Sequence, residues 1–334
     1  MINDPKQWLL KRPSDDHPEW ALWADRELQS FWEQVQEASF TAADEVKLHY
    51  AFYQHPKSRG WVVISPGRIE CYIKYKELML EVAAQGYSVA TIDHRGQGFS
   101  ERISDHPQHG HVEHFDDFVR DFADFMLELK ALIGEQPCYL LAHSMGGAIG
   151  SLYMASYPHP FRAAALSAPM MGVHTQPVPA TIVNSFVRLG HWLNAKLAGN
   201  RPRYVTGMQD YSDCTFEANE LTHSQARYQW FRALYLDNPQ VQVGGPTWQW
   251  LMQSMEAMEE LPRVAPVIKT PLLILQAEQD RIVKPEPQKD FMRLLTHPLS
   301  RLQQVRGSYH EILMESDNIR EPAIRSIFDF FEQN

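Results

Sequence analysis

The sequence predicts an α/β protein in which helices flank a mostly parallel sheet. Between residues 61 and 169, and again from residue 271, short apolar runs alternate with helical stretches, the pattern of parallel strands joined by helices. One run, residues 138–142, ends just before Ser144 and a glycine-rich stretch. The 334 residues exceed the usual single-domain size, so we expect two domains or one domain with an insertion.

The composition is that of a soluble globular protein. Hydrophobic residues make up 44% of the chain and charged residues 22%, which excludes disordered and collagen-like classes. The net charge of -10 argues against nucleic acid as a partner and against general affinity for anionic membranes. Local basic patches are compatible with that total.

The cysteines and the termini predict a cellular location. Cys71, Cys138 and Cys214 are an odd number without metal-ligand spacing, which favours a reducing compartment over a disulfide framework. No signal-peptide pattern is evident at the N-terminus, and no stretch approaches the ~18 apolar residues of a spanning helix. We expect a cytoplasmic protein that is either free or peripheral on the cytoplasmic face of the inner membrane.

The elements follow in order along the chain. Residues 1–38 predict a helical extension whose aromatic residues recur at helical spacing; packing on the main body is favoured over insertion in a lipid interface. Residues 38–54 alternate as an antiparallel hairpin does. The main body is predicted to have strands at 61–65, 87–92, 138–142, 162–168, 271–276 and 300–305, and helices at 75–85, 114–132, 287–295 and 321–332.

The strand pattern disappears between the two parts of the main body. Residues 170–266 are rich in Trp, Met and Leu and predict a helical cap over the sheet edge. The main body then consists of residues 1–169 and 267–334.

A basic segment of the cap suggests contact with lipid. Residues 174–209 contain no Asp or Glu and carry four bases, a local charge of +4: Arg188, Lys196, Arg201 and Arg203. One helical face is apolar and lies beside Trp192: Ile182, Phe186, Leu189, Leu193 and Leu197. Such a helix can dock on an anionic bilayer surface. The alternative is that its apolar face covers the active-site cleft or the core.

Ser144 occupies the position of a catalytic nucleophile. Its surroundings, Ala-His-Ser-Met-Gly after an apolar strand, match the nucleophile elbow, a sharp strand-to-helix turn that projects the serine over the sheet edge. Small residues then allow the helix to pack closely on the strand: Gly146, Gly147, Ala148 and Gly150. The alternative is an ordinary N-cap serine.

Two later residues complete a predicted catalytic triad. Asp280 and His310 each follow a predicted strand, and parallel sheets assemble their sites at the carboxyl ends of strands. The chain order Ser, Asp, His is that of the nucleophile-elbow fold. Taken singly, Asp280 is equally compatible with a loop cap and His310 with a surface histidine. Glu278 is the alternative acid and His297 a poorer alternative base.

The oxyanion hole is predicted from backbone amides. On such a fold the donors are the residue after the nucleophile, here Met145, and the loop after an early strand, here Arg68. Gly67 permits close approach of the backbone, whereas Pro66 has no N–H to donate. No cofactor is required.

A histidine-rich loop at residues 105–114 raises the question of a metal. It brings no cysteine or paired-carboxylate signature, so a polar rim beside the active site is favoured over a metal site.

These residues and motifs resemble those of α/β-hydrolases, in the serine-hydrolase group that contains monoacylglycerol lipases and bacterial lysophospholipases, and most closely the latter. The matching stretches cover nearly the whole chain, cap included: residues 65–70, 93–98, 109–112, 141–149, 221–228 and 243–247. Pro66 and Ala142 depart from the group's usual histidine and glycine.

The resemblance implies hydrolysis of the acyl ester of lysophospholipids or monoacylglycerols through an acyl-Ser144 intermediate. Two alternatives remain open: an esterase or peptidase acting on small soluble substrates, and a catalytically silent binding module. Epoxide hydrolase and dehalogenase chemistry is excluded because it needs an acidic nucleophile at the position of Ser144.

Overall fold

Eight strands form one sheet at the centre of the molecule. The computed structural model describes residues 4–174, 180–199 and 201–334. The strands are β1 (Gln36–Thr41), β2 (Lys47–Tyr53), β3 (Trp61–Ser65), β4 (Ser88–Asp93), β5 (Cys138–His143), β6 (Phe161–Ser167), β7 (Leu272–Ala277) and β8 (Arg301–Val305). Their order is β1-β2-β4-β3-β5-β6-β7-β8. β2 pairs antiparallel with β1 and β4, and the other pairs are parallel, which confirms the predicted mostly parallel sheet.

Helices flank this sheet. They are α1 (Pro5–Leu9), α2 (Trp20–Trp23), α3 (Gln29–Trp32), α4 (Lys76–Ala84), α5 (Phe115–Ile133), α6 (Met145–Ser156), α7 (Ala180–Ala198), α8 (Gln225–Asp237), α9 (Trp248–Val264), α10 (Pro285–Leu294) and α11 (Asp317–Glu332). A π-helical turn, Ala24–Leu28, joins α2 to α3. The last helix begins at Asp317, earlier than the predicted residue 321. Proline is typical of a first helical turn, but Pro322 lies inside this helix. Within the described ranges, no helix has the length and hydropathy needed to cross a bilayer.

Close packing of α6 on the sheet explains its glycines. Every residue of β3 and β5 is buried. A Cβ added at Gly146 would lie 2.1 Å from the carbonyl oxygen of Ser65, and one at Gly150 would lie 2.7 Å from Cδ2 of Leu140. Side chains at these two positions would therefore push α6 away from the strands that carry the site.

The N-terminal segment packs on the main body. Trp20 and Phe31 are fully buried and belong to the main hydrophobic core, and Trp20 packs edge-on against Trp230 of α8. The hairpin predicted at residues 38–54 is present as β1 and β2.

Helices α7, α8 and α9 lie in the segment between β6 and β7, where the cap is predicted. A small apolar cluster of Val187, Trp248, Met252 and Met255 joins α7 to α9. The described part of this segment adds no strand to the sheet. These observations support the division into core and cap, which we retain as a proposal.

A buried ion network ties α8 to the core. Arg227 of α8 is fully buried, and its Nε and Nη2 donate to both carboxylate oxygens of Glu77 in α4, at 2.7 and 2.8 Å. Nη2 also lies 2.6 Å from Oδ1 of Asp317 in α11. Arg12 and Arg320 extend the network through Glu77, Glu81 and Asp317. Several segments distant in sequence therefore share one set of buried charges.

We expect Arg227→Met to lower the free energy of unfolding by about 3–5 kcal/mol, because it leaves the buried carboxylate of Glu77 without its main partner. Urea unfolding monitored by circular dichroism measures this change. Arg263→Met, which removes an exposed arginine paired with Glu260, should cost less than about 1 kcal/mol. Equal losses in the two variants would contradict the proposed role of the network.

Candidate active site

Ser144 lies on a strained turn between β5 and α6. Its φ of 51° and ψ of -116° are unusual for a residue other than glycine. The turn is held by hydrogen bonds: the Ser144 amide donates to the Ser167 carbonyl oxygen at 3.0 Å, and the Met170 amide donates to the Ser144 carbonyl oxygen at 2.9 Å. The predicted elbow geometry is thus present.

The structure brings the three predicted triad residues together. Oγ of Ser144 lies 3.0 Å from Nε2 of His310, and Nδ1 of His310 lies 2.8 Å from Oδ2 of Asp280. Asp280 follows β7 and His310 follows β8, so both come from the carboxyl ends of parallel strands. Ser144 is 8% exposed and His310 is 4% exposed, which keeps the contacts out of bulk water.

Asp280 fixes the orientation of the His310 ring. Its Oδ1 accepts hydrogen bonds from the amides of Ile282 and Val283, both at 2.8 Å. Burial alone would raise the pKa of Asp280, but the hydrogen bond and charge of His310 outweigh it, and the pKa is lowered. An ionised Asp280 favours a proton on Nδ1 of His310, leaving Nε2 free to accept one from Ser144.

The alternative acid and base predicted from the sequence lie elsewhere. Glu278 accepts a hydrogen bond from the Gly307 amide at 2.8 Å, and Nδ1 of His297 faces the Leu299 amide at 3.3 Å. Neither side chain is bonded to Ser144 or to His310.

The loop after β3 lies directly beside Ser144. A Cβ added at Gly67 would be 3.2 Å from Cβ of Ser144. The Gly67 amide donates to Glu70 and the Ile69 amide to Oε1 of Gln97. The Arg68 amide between them has no hydrogen bond to another group of the described chain. The assignment of the Arg68 amide in this loop and the Met145 amide at the start of α6 as oxyanion donors stays a prediction.

Gln97 and Tyr235 hold this loop, and the sequence analysis missed both. Nε2 of Gln97 donates to the carbonyl oxygens of Gly67 and Glu70, at 2.8 and 3.1 Å. The hydroxyl of Tyr235 in α8 donates to the Ile69 carbonyl oxygen at 3.0 Å. Ile69 has a φ of 58°, strain that a β-branched residue keeps only when its surroundings impose it. The motif at residues 93–98 was the available signal for Gln97.

A buried charge cluster lies next to the triad, and the sequence analysis also missed it. Nζ of Lys74 lies 2.7 Å from a carboxylate oxygen of Glu70 and 2.7 Å from one of Glu311. The ring of His143 lies between this cluster and His310, with 4.9 Å between the two ring centroids. Burial alone would raise the pKa of Glu70, but Lys74 and His143 lower it to about 2. The spacing of Glu70 and Lys74, four residues apart, was its sequence signal.

This cluster also contains the one group of candidate metal ligands among the described residues: Glu70, His143 and Glu311. The ammonium group of Lys74 bonds to both carboxylates and supplies the cation that they require. The donor set therefore fits an internal ion pair rather than a metal.

The histidine-rich loop packs against the segment predicted as the cap. The Gly110 amide donates to the Gly245 carbonyl oxygen at 3.1 Å, and Nδ1 of His111 lies 2.9 Å from Oγ1 of Thr247. The ring of His109 packs edge-on against Tyr204, with 4.4 Å between centroids.

A surface cavity of about 990 Å³ lies away from the triad. Asp15, Trp230 and Asp317 are among its lining residues, and it includes no member of the triad or of the oxyanion loop. Because no nucleophile and base converge there, we assign the chemistry to the buried triad and not to this open cavity.

Comparison with known proteins agrees with this geometry. A model of the family described as serine aminopeptidase, S33, matches residues 56–317. Lysophospholipase L2 of Escherichia coli strain K12 is 38% identical over 339 residues, covering 100% of this chain and 97% of the relative. Probable lysophospholipase L2 of Haemophilus influenzae is 34% identical over 307 residues, covering 91% and 94%.

A solved structure shows the same fold. The soluble variant of monoglyceride lipase from Saccharomyces cerevisiae, in complex with a substrate analog, has a TM-score of 0.68 at 20% identity, covering 89% of this chain and 94% of that chain. The predicted α/β-hydrolase fold is therefore confirmed. With the family model matching most of its length, this chain belongs to the serine aminopeptidase S33 family of α/β-hydrolases.

Proposed function

We propose that this protein is a carboxylic ester hydrolase that cleaves the acyl ester of lysophospholipids, and of monoacylglycerols as related substrates. The observation that carries the chemistry is the continuous contact from Ser144 through His310 to Asp280, at 3.0 and 2.8 Å. The substrate class is supported by the full-length similarity to lysophospholipase L2.

Acylation begins at Ser144. Its Oγ attacks the ester carbonyl carbon while Nε2 of His310 takes the hydroxyl proton. The negative charge that forms on the carbonyl oxygen is stabilised by the amides of Met145 and Arg68. His310 then gives its proton to the alcohol oxygen of the glycerol headgroup, the ester bond breaks, and the acyl chain remains on Ser144.

Deacylation repeats these steps with water. His310 takes a proton from a water molecule whose oxygen attacks the acyl carbon, and the proton passes to Oγ of Ser144 as the fatty acid leaves. Asp280 stays ionised throughout and stabilises the imidazolium form of His310.

Two alternatives remain. The first is a peptidase, which the description of the matching family names. The second is an esterase for small soluble substrates. A series of acyl esters of increasing chain length, assayed beside a peptide substrate, separates both from the proposal. Rising kcat/KM with chain length supports a lipid substrate, whereas a maximum at acetate or at a peptide substrate would overturn it.

We expect Ser144→Ala to lower kcat/KM for lysophosphatidylcholine by about 10⁴-fold or more, because no other group supplies the nucleophile. A fluorophosphonate probe should label the parent protein and not the variant, as measured by intact-mass analysis. Ser326→Ala in α11 removes a serine outside the site and should keep full activity and labelling. A parent protein that neither reacts with the probe nor hydrolyses any ester would establish the silent binding module instead.

We expect Gly67→Ala to lower kcat for ester hydrolysis about 100-fold or more. The added Cβ would lie 3.0 Å from Cδ2 of His143 and 3.2 Å from Cβ of Ser144, so the loop must move and take the Arg68 amide with it. Gly207→Ala serves as the control for backbone strain: its methyl group has nothing within 4 Å, but the φ of 89° makes alanine unfavourable there, so it should lower the melting temperature and leave kcat unchanged. A Gly67→Ala protein that keeps its melting temperature and its kcat would contradict the assigned oxyanion loop.

We further propose that α7 contacts an anionic membrane surface. On the predicted apolar face, Leu189 is 54% exposed and Phe186 is 53% exposed, although one edge of the Phe186 ring contacts Trp248. Trp192, beside that face, is 54% exposed. The opposite side, at Val187 and Gly190, packs on Trp248. The side chains of Ile182 and Leu197 lie outside the described residues.

The bases of this segment are also exposed. Lys196, Arg201 and Arg203 are exposed, and Arg188 makes one exposed contact, 3.6 Å from Glu259. Exposed pairs of this kind hold little energy, so these charges are available to lipid headgroups. This surface supports a peripheral position on the membrane, and the free Cys71, Cys138 and Cys214 support the reducing cytoplasmic side.

We expect binding to vesicles containing anionic lipid to exceed binding to phosphatidylcholine vesicles, measured by co-sedimentation. The double variant Arg188→Gln/Lys196→Gln should weaken anionic-vesicle binding on the order of tenfold, since each base near the surface contributes about 1 kcal/mol. The control Lys289→Gln/Arg293→Gln removes two exposed bases from α10. Equal binding to both vesicle types, or equal losses in the two double variants, would exclude the proposed surface.

A further inference from the structure

The side chain of Arg68 carries a positive charge without a carboxylate partner. Its Nη2 donates to the Gly244 carbonyl oxygen at 2.6 Å, and its Cζ lies 5.0 Å from the ring centroid of Trp250. Its Nε is buried and has no hydrogen-bond partner in the described part of the chain. Among the described residues, no Asp or Glu forms an ion pair with Arg68, and its one side-chain hydrogen bond goes to a backbone carbonyl oxygen. The guanidinium is thus held in place while some of its donors remain unused.

Two fully buried arginines of this protein, in contrast, have carboxylate partners. Arg227 bonds to Glu77 at 2.7 Å, and Arg320 bonds to Glu81 at 2.6 Å. Both follow the rule that a buried charge is paired. Arg68, which is half-buried with a buried Nε, has no such carboxylate although it lies beside the proposed active site.

The charge of Arg68 persists at neutral pH. Burial lowers the pKa of its guanidinium to about 10, which still leaves it protonated. A cation withdrawn from water without a counter-charge costs free energy. A negatively charged ligand that supplied the missing partner would recover that cost on binding.

The position of Arg68 connects it to the reaction. Its own amide is a proposed oxyanion donor, and its neighbour Gly67 lies against Ser144. The side chain leads from there toward Gly110, where an added Cβ would lie 2.6 Å from Nη2, so glycine at that position leaves room for the guanidinium. An extended arginine side chain reaches on the order of 7 Å from its Cα.

The geometry of a lysophospholipid matches this separation. In a 1-acyl lysophospholipid the phosphate is joined to the ester carbonyl through the glycerol backbone, a distance of about 7 Å when extended. A phosphate oxygen is an acceptor that guanidinium groups bind through paired, charge-assisted hydrogen bonds. A monoacylglycerol has a hydroxyl group at the same place and carries no charge.

We propose that the Arg68 guanidinium binds the phosphate of the lysophospholipid headgroup and makes the enzyme select lysophospholipids over monoacylglycerols. The inference rests on the proposed function, because it assigns the headgroup specificity of that same site. One residue then serves twice: its amide binds the oxyanion and its side chain binds the headgroup.

The test is the ratio of kcat/KM for lysophosphatidylcholine to kcat/KM for a monoacylglycerol with the same acyl chain. We expect Arg68→Gln to lower this ratio at least tenfold, since it removes a charge-assisted bond that only the phosphate receives. Arg68→Lys should retain more of the ratio than Arg68→Gln, because it keeps the charge. The ratio is informative even if both variants lose absolute rate through disturbance of the oxyanion loop.

The control and the contrary outcomes are distinct. Arg293→Gln, which removes an exposed arginine paired with Asp290, should leave the ratio unchanged. An unchanged ratio in Arg68→Gln would overturn the headgroup assignment while leaving the proposed function intact. A parent enzyme that hydrolyses monoacylglycerol but no lysophospholipid would overturn the substrate class itself, and this inference with it.

Inorganic phosphate separates a headgroup site from a site for free phosphate. We expect millimolar phosphate to inhibit lysophosphatidylcholine hydrolysis competitively in the parent enzyme and less in Arg68→Gln. Inhibition that depends on Arg68 without any change of the substrate ratio would show that the guanidinium binds free phosphate, and would overturn the headgroup assignment.

Discussion

The site depends on the strained backbone of Ser144. A positive φ at a serine persists only where neighbouring groups impose it, and here the amide and the carbonyl oxygen of Ser144 are bonded to Ser167 and Met170. Parallel pairing of β5 with β3 and β6 supplies the platform for those bonds. From β3 the chain continues to β4 on one side of the sheet and then returns to β5 on the other side. At such a reversal of strand order, the carboxyl ends of the two strands form the crevice where open parallel sheets bind ligands.

Two side chains of α8, in the segment between β6 and β7, form hydrogen bonds with residues that precede β4 in the chain. Arg227 bonds α8 to Glu77 in α4, and Tyr235 of the same helix bonds to the loop that carries the proposed oxyanion donor. The segment between β6 and β7 is therefore bonded to the loop that follows β3. This connection gives a physical reason for the family-like sequence at residues 221–228, which includes Arg227.

The proposed chemistry and the proposed specificity share the loop of residues 66–70. Its backbone is held by hydrogen bonds to Gln97 and Glu70, which orient its amides before substrate binds. Its one long basic side chain, Arg68, leaves the loop toward residues of the cap segment. Under these two proposals the loop binds both the ester oxygen and the phosphate of the substrate, and the exposed face of α7 brings the enzyme to the membrane surface.

The sequence by itself determined the order of strands and helices, the elbow at Ser144, and Asp280 and His310 as its partners, because periodicity and strand-end position are local properties. Tertiary structure alone decided which polar groups lie behind that site. Lys74 meets Glu311 across 237 residues of chain, and Gln97 reaches back to Gly67. It also decided that Arg68 stays without a carboxylate, since pairing of charges between distant segments leaves no signature in local sequence.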